Sequence, residues 1–154
     1  MYASAEPSSF QGMIRMPTTP VTMPPVRKLI RRGAMCAKSL AGPTTFAAMF
    51  DTAVRELGKV DAVANIAGAM FPGLIEDLDD ETIDKGIDLN LKGVLYGTQY
   101  AIRTMKETGG GAIVNVSSGA IDLPYAGIGV YAFTKAAVAM LSMTAAVEAG
   151  PHNI

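Results

Sequence analysis

Helical periodicity alternates with short apolar runs along residues 43–154, and this alternation restricts the fold more than any other feature of the sequence. Apolar side chains recur at helical spacing from Pro43, a helix start signal, to Gly58, a stop signal. The apolar run that follows, residues 60–64, is typical of a buried parallel strand. Residues 65–73 then have the composition of a loop. The pattern therefore begins as a helix, a strand and a loop.

The same alternation continues to the end of the chain. A cluster of acidic residues suits the positive end of a helix dipole and precedes a predicted helix at residues 81–106. A glycine-rich turn at residues 109–111 leads into a second predicted strand, residues 113–116. A loop at residues 118–129 leads into an alanine-rich helix at residues 130–149. Because helices that join parallel strands make right-handed crossovers, the predicted fold class is α/β, a partial Rossmann-like doubly wound parallel sheet.

The single cysteine, Cys36, and the single histidine, His152, exclude several kinds of site. One cysteine cannot form an internal disulfide, and one of each residue is too few for a dedicated metal site of the zinc type. The sequence has no Gly-x-Ser-x-Gly motif, and its histidine stands near the end, which excludes a Ser-His-Asp hydrolase. No uninterrupted apolar stretch reaches the roughly 18 residues of a membrane span, and no signal peptide is recognisable. We therefore expect a cytoplasmic protein with no membrane partner.

Residues 1–42 differ in composition from the rest of the chain. They hold six basic residues against one acidic residue, Glu6, and five of the nine prolines lie at or before Pro25. Prolines at this density interrupt any regular period, so we predict a disordered basic leader ahead of one domain at residues 43–154. The alternatives are an organelle-targeting leader, which the prolines oppose, and a nucleic-acid-binding arm, which the short basic run at residues 27–32 opposes. With a net charge of -1 as well, we expect no nucleic-acid partner.

Tyr131 and Lys135 stand four residues apart in the last predicted helix, so they share one face of it. A cation beside a phenol favours the phenolate, and such a tyrosine can exchange a proton with an alcohol or carbonyl oxygen. Ser118 precedes this pair at the start of the last loop, and Asn90 precedes it in the helix predicted at residues 81–106. These residue types favour acid–base chemistry on an oxygen atom.

Four segments carry this pattern in order: Asn-Ile-Ala-Gly at residues 65–68, Asp-Leu-Asn-Leu-Lys-Gly at 88–93, a strand-like run with two serines at 111–118, and Tyr-Ala-Phe-Thr-Lys at 131–135. Together they resemble the short-chain dehydrogenase/reductase family. Ile66 replaces the second asparagine of that family's Asn-Asn-Ala-Gly element. A Tyr-x-x-x-Lys pair alone is a weak signal in a chain with five tyrosines, but four elements in order are a strong one.

The resemblance implies an NAD(P)(H)-dependent oxidoreductase that interconverts an alcohol and a carbonyl of a small-molecule substrate. Tyr131 would be the general acid or base, and Lys135 would favour its phenolate and bind the nicotinamide ribose. Ser118 would hydrogen-bond the substrate oxygen, and Asn90 would hold a water that links Lys135 to solvent. Of these, Tyr131 and Lys135 are also expected to contact the cofactor.

The resemblance also implies a cofactor-binding loop after the first predicted strand, formed by Asn65, Ala67 and Gly68. Ligands of open α/β sheets bind beyond the carboxyl ends of the strands, and a glycine there lets a cofactor approach the backbone closely. Which of NAD and NADP would bind is left open, as is the substrate.

Each of these residues also has a purely structural interpretation. Asn65 could satisfy backbone groups at the end of the strand, and Asn90 could be a solvated helix residue. Ser118 could be an ordinary loop hydroxyl, and its neighbour Ser117 could be mistaken for it.

The family's glycine-rich dinucleotide motif, Gly-x-x-x-Gly-x-Gly, occurs nowhere in the sequence, and the spacing of three βα units places it before residue 1. We therefore expect part of a reductase domain, whose cofactor binding and activity are in doubt. The alternative is a non-catalytic chain derived from the family that acts by association, for example as a homo-oligomer through the helices at residues 81–106 and 130–149.

Overall fold

The computed structural model describes residues 43–154. The predicted disordered leader at residues 1–42 lies outside the described residues. Four α-helices and two strands form the described part, in the order α1 (Pro43–Leu57), β1 (Ala62–Asn65), α2 (Asp80–Ile87), α3 (Gly93–Thr108), β2 (Ala112–Asn115) and α4 (Gly129–Ala149). Short 3₁₀ turns occur at Ile75–Asp77, Gly119–Ile121 and Gly150–His152, and a π-helical turn occurs at Asp88–Lys92.

The two strands pair in parallel, with Ala62 opposite Ala112 and Asn65 opposite Asn115. The predicted boundaries were wrong by one or two residues, since the strands were expected at 60–64 and 113–116. Asn65 is the last residue of β1 and not the first residue of a loop, because its carbonyl accepts a hydrogen bond from the backbone N–H of Val116 at 3.1 Å.

The described helices cover one face of this sheet. Side chains at alternate strand positions, such as Val63 and Ile113, pack against the core, whereas Val114 on the opposite face is 58% exposed. The centre of the core is formed by Phe46, Phe50, Val60, Ala101 and Met105. The connection between the two strands runs through α2 and α3, and α3 packs against both of them.

The helix predicted at residues 81–106 is interrupted, which corrects the sequence prediction. It begins where the Asp79 carboxylate accepts the backbone N–H of Thr82 at 2.7 Å, and it changes to a π-helical turn at Asp88–Lys92. Within that turn the N–H of Gly93 bonds to the carbonyl of Asp88, five residues back. A pattern of apolar residues does not distinguish one π turn from one α turn, and π turns are frequent at functional sites.

Helix α4 approaches α2 closely at Gly86, where an added Cβ would collide with Val130. By length and composition alone, Gly129–His152 could also cross a membrane, a test that the core helices of soluble proteins pass as well. Along α4 the buried positions are Val130, Thr134, Lys135, Val138 and Ala149. The expectation of no membrane partner stays a prediction.

Candidate active site

The site forms where the two parallel strands end. Gly68 lies three residues after the last residue of β1, Asn65, and Ser118 lies three residues after the last residue of β2, Asn115. Because the strands are parallel and these two last residues are paired, both segments emerge at the same edge of the sheet. Open α/β sheets bind their ligands at this edge.

Lys135 lies in the second turn of α4, and its side chain extends towards this edge of the sheet. It is 3% exposed, and its Nζ donates a hydrogen bond to the backbone carbonyl of Val116 at 2.8 Å. None of the ion pairs within residues 43–154 involves it. Its Nζ lies 5.8 Å from the centre of the Tyr131 ring, one turn earlier on the same helix. The structure therefore brings this predicted pair together.

Gly68 passes directly over Lys135 and Asn90. A Cβ at this position would lie 3.2 Å from both Lys135 Nζ and Asn90 Oδ1, tighter than nearly all real contacts of a Cβ. A larger residue at this position would therefore force the Lys135 amine or the Asn90 amide to shift by a few tenths of an ångström. The contact of Gly68 with a cofactor stays a prediction, and the backbone that it leaves uncovered is compatible with one.

Asn90 is fully buried within the π-helical turn and holds the loop that follows Gly68. Its Nδ2 donates to the carbonyl of Ala69, and its Oδ1 accepts the N–H of the same residue, both at 2.8 Å. Nδ2 also lies 3.4 Å from the hydroxyl of Thr134, a buried residue of α4. The solvated interpretation of Asn90 is therefore wrong. The side chain positions the loop, and its predicted contact with a water remains a prediction.

The two adjacent serines have different partners. Ser117 donates its hydroxyl to the backbone carbonyl of Lys135 at 2.8 Å, which ties the end of β2 to α4. The Ser118 hydroxyl accepts the backbone N–H of Ala120 at 3.2 Å. Within residues 43–154, no acceptor takes the Ser118 hydroxyl proton, so this serine, and not its neighbour, can donate to a ligand.

Asn65 does not point into the site. Its Nδ2 donates to Asn115 Oδ1 at 2.8 Å and lies 3.4 Å from Thr98 Oγ1, on the side of the sheet that the helices cover. A Cβ at Gly97 of α3 would collide with the Asn65 amide. The side chain therefore has a structural role, but its partners are the side chains of Asn115 and Thr98 and not the backbone groups that the structural interpretation of the sequence named. A cofactor contact of Asn65 or of the exposed Ala67 stays a prediction.

Sequence reasoning missed the polar cluster to which Asn65 belongs. Asn115 accepts from Asn65 and from Thr98, and it donates to Ser142 of α4 at 3.0 Å, so four side chains link both strands to both long helices. The available signal was a polar residue within the apolar run of β2. Thr134 was also missed, although it lies directly before Lys135 and donates to the carbonyl of Tyr131 at 2.8 Å.

Two polar interactions on the exposed side of α2 and the π-helical turn lie close in sequence to Asn90: an ion pair between Lys92 and Asp88, and a hydrogen bond from Thr82 to Asp79. A hydrogen bond and the charge of Asp88 raise the pKa of Lys92, whose Nζ lies 2.6 Å from that carboxylate. Hydrogen bonds from Thr82 lower the pKa of Asp79 at the start of α2. These groups stabilise the helix termini and the turn around Asn90, and they do not contact the site itself.

The sequence of residues 32–154 matches the family model for short chain dehydrogenase. The chain belongs to the short-chain dehydrogenase family. The match begins at residue 32, earlier in the chain than the domain boundary that composition predicted at residue 43. The resemblance inferred from four short segments is therefore confirmed.

Individual family members show how much of the domain is shared. The 2,3-dihydro-2,3-dihydroxybenzoate dehydrogenase of Bacillus subtilis (strain 168) is 34% identical over 100 residues, which cover 65% of this chain and 38% of that protein. A short-chain type dehydrogenase/reductase of Picea abies is 33% identical over 120 residues, covering 76% of this chain and 44% of the relative. The chain thus spans about two fifths of the length of these curated relatives.

A solved structure supports the fold. A 7α-hydroxysteroid dehydrogenase in complex with NADH and 7-oxo glycochenodeoxycholic acid superposes with a TM-score of 0.71 and 28% sequence identity, covering 77% of this chain and 46% of that one. The predicted class, a partial Rossmann-like α/β fold, is therefore confirmed.

Proposed function

We propose that this chain carries the catalytic half of an NAD(P)(H)-dependent oxidoreductase that interconverts an alcohol and a carbonyl compound. The observation that carries the proposal is the Lys135 amine, 3% exposed, held by one carbonyl, and 5.8 Å from the Tyr131 ring. A buried cation without a carboxylate partner is costly, so a fold retains such a group where chemistry needs it.

The residues at this edge divide the work on one oxygen atom. In the reducing direction Tyr131 donates a proton to the carbonyl oxygen, and in the oxidising direction it accepts the proton of the alcohol. The Lys135 ammonium favours the phenolate that remains after proton donation. Ser118 donates a hydrogen bond from its free hydroxyl to the same substrate oxygen, keeps its proton, and stabilises the charge that develops there.

The cofactor is also part of the proposal. When bound, a nicotinamide supplies or accepts the hydride. Ala67, Gly68 and Lys135 would hold it, and the bare backbone at Gly68 above the Lys135 amine fits such a group. A relative whose solved structure contains NADH supports this assignment.

Turnover of the Tyr131→Phe variant tests the proposal. A panel of ketones and secondary alcohols is assayed with NADH, NADPH and their oxidised forms, and the loss of the phenol is expected to lower turnover by roughly 100-fold or more. Tyr100→Phe is the matched control, because it also removes one phenol hydroxyl but from a ring that packs against the core. The ring centres of Tyr100 and Phe50 are 6.1 Å apart. Equal turnover by wild type and Tyr131→Phe would refute the assignment. Titration of NADH or NADPH fluorescence measures cofactor binding separately from turnover.

A second candidate function is association without catalysis. It is favoured by the apolar residues that α4 leaves exposed, which are Phe133, Met140, Met143 and Val147. Light scattering of wild type and Met143→Lys distinguishes the two candidates. Association that Met143→Lys abolishes, together with no turnover by either wild type or Tyr131→Phe, would favour this function over the enzyme. For either function we propose a cytoplasmic location, as the single cysteine suggests.

A further inference from the structure

A surface cavity of about 420 Å³ adjoins the start of α4. Its lining comes from two loops, one after β1 and one before α4, and consists of Leu74, Ile75, Glu76, Tyr125, Ala126, Gly127 and Gly129. Protein cavities that bind small molecules commonly measure roughly 300–1,000 Å³. The size is therefore suited to a ligand with one or two rings.

Backbone contacts hold the two walls of this cavity together. The N–H of Gly73 donates to the carbonyl of Gly127 at 2.9 Å, and Gly73 forms an isolated parallel bridge with Ile128. A Cβ at Gly129 would lie 2.9 Å from a side-chain carbon of Ile75, so the loops meet closely. Gly129 stands two residues before Tyr131. The cavity thus reaches the first turn of α4, the turn that also carries the proton donor of the proposed function.

The lining is mainly apolar and uncovered. Ile75 is 80% exposed, Tyr125 is 64% exposed and Leu74 is 49% exposed. Exposed groups of large apolar side chains mark protein interfaces as well as ligand-binding grooves, and the cavity between these side chains favours a ligand. Glu76 supplies the one acidic side chain of the lining.

The two chain segments that line the cavity carry charge of one sign. Residues 60–84 and 107–134, which contain both loops, include no Lys or Arg and nine Asp or Glu residues. Lys135 is the cation nearest along the chain to the loop before α4, and its amine is buried and bonded to Val116. An anionic ligand would therefore meet the Glu76 carboxylate with no free cation from these segments to pair with it.

We propose that this cavity binds the apolar body of an uncharged carbonyl or alcohol substrate and selects against carboxylate- or phosphate-bearing ones. The inference rests on the proposed function and specifies its substrate class. Apolar contact with Ile75 and Tyr125 provides the attraction, and repulsion by Glu76 provides the discrimination.

Binding of a matched pair of ketones tests the proposal. The probes are a methyl naphthyl ketone and the same ketone with one ring carboxylate, titrated into the isotope-labelled 154-residue chain while the amide resonances of Gly127 and Gly129 are followed by NMR. We expect both amides to shift with the uncharged ketone, which should bind at least roughly fivefold more tightly than the carboxylate. Glu76→Gln should reduce this ratio.

A pair of equally exposed residues provides the control. Ile75→Ser should weaken binding of the uncharged ketone several-fold, whereas Val147→Ser, at a position 79% exposed on α4, should leave it unchanged. Equal affinity for the two ketones, no shift at Gly127 and Gly129, or equal effects of the two substitutions would overturn the proposal.

This test is separable from the test of the proposed function. Selective binding of the uncharged ketone without turnover by any substrate would support the ligand class and refute the enzyme. Turnover that prefers the carboxylate ketone would support the enzyme and refute the ligand class.

Discussion

Replacing Asn115 with alanine should destabilise the fold by about 2–4 kcal/mol, because three side-chain hydrogen bonds meet at this residue. Its Oδ1 accepts from Asn65 at 2.8 Å and from Thr98 at 3.2 Å, and its Nδ2 donates to Ser142 at 3.0 Å. These partners come from β1, α3 and α4, so the substitution loosens every element that supports the site edge.

The size of the expected destabilisation depends on which hydrogen bonds the partners of Asn115 retain in the variant. One net hydrogen bond contributes about 1 kcal/mol, and a buried donor left without an acceptor costs about 1–3 kcal/mol. Ser142 retains its bond to the carbonyl of Val138 at 2.8 Å, and Asn65 retains the longer contact to Thr98 at 3.4 Å. A cavity of about 90 Å³ beside Asn115 could admit water to the freed groups. These compensations place the expected loss near the lower end of the range.

Urea unfolding followed by circular dichroism measures this loss as a change in the free energy of unfolding. A double-mutant cycle with Asn65→Ala isolates the bond between the two amides, and we expect a coupling energy of about 1 kcal/mol. Ser142→Ala removes one of the three bonds, so its effect should be about 1 kcal/mol. A loss below about 0.5 kcal/mol for Asn115→Ala, or no coupling with Asn65, would show that the cluster does not join the sheet to its helices.

Three further predictions concern the helices and the serines. Gly86→Ala should destabilise the fold by about 1–3 kcal/mol, because the added methyl group collides with Val130 of α4. Gly93→Ala makes only an ordinary contact at 3.7 Å, so it should be neutral or stabilising by up to about 1 kcal/mol. Thermal unfolding of the two variants measures both effects. Ser118→Ala should lower turnover roughly 100-fold with little change in stability. Ser117→Ala should lower the free energy of unfolding in urea by about 1 kcal/mol with little change in turnover. The reverse outcome would exchange the roles of the two serines. Because hydrogen bonds in the folded state lower the pKa of Asp79, its stabilisation is complete above the unfolded pKa of about 3.9 and is lost as the pH falls through the folded value. The difference in urea midpoint between wild type and Asp79→Ala should therefore be present at neutral pH and shrink below about pH 4, and a constant difference would contradict this reasoning.

Much of the fold was predictable because it depends on neighbours along the chain. The first helix ends at Leu57, directly before Gly58, as its stop signal indicated, and Gly58 has a φ of 85° that suits a glycine. The strands were less predictable, because their ends are set by pairing with a distant segment. Asn65 belongs to β1 only because Val116, far along the chain at the end of the other strand, donates to its carbonyl.

The sequence by itself determined the order of helices and strands, the family, and the pairing of Tyr131 with Lys135, since residues four apart on a helix must share a face. Only the tertiary structure decided which serine keeps a free hydroxyl proton and which way Asn65 points. These outcomes depend on contacts between segments that are far apart in sequence, such as the bond from Ser117 to the backbone of Lys135. Local patterns determine which segments form helices and strands, whereas the strand ends and the partners of polar side chains depend on what the completed fold places beside them.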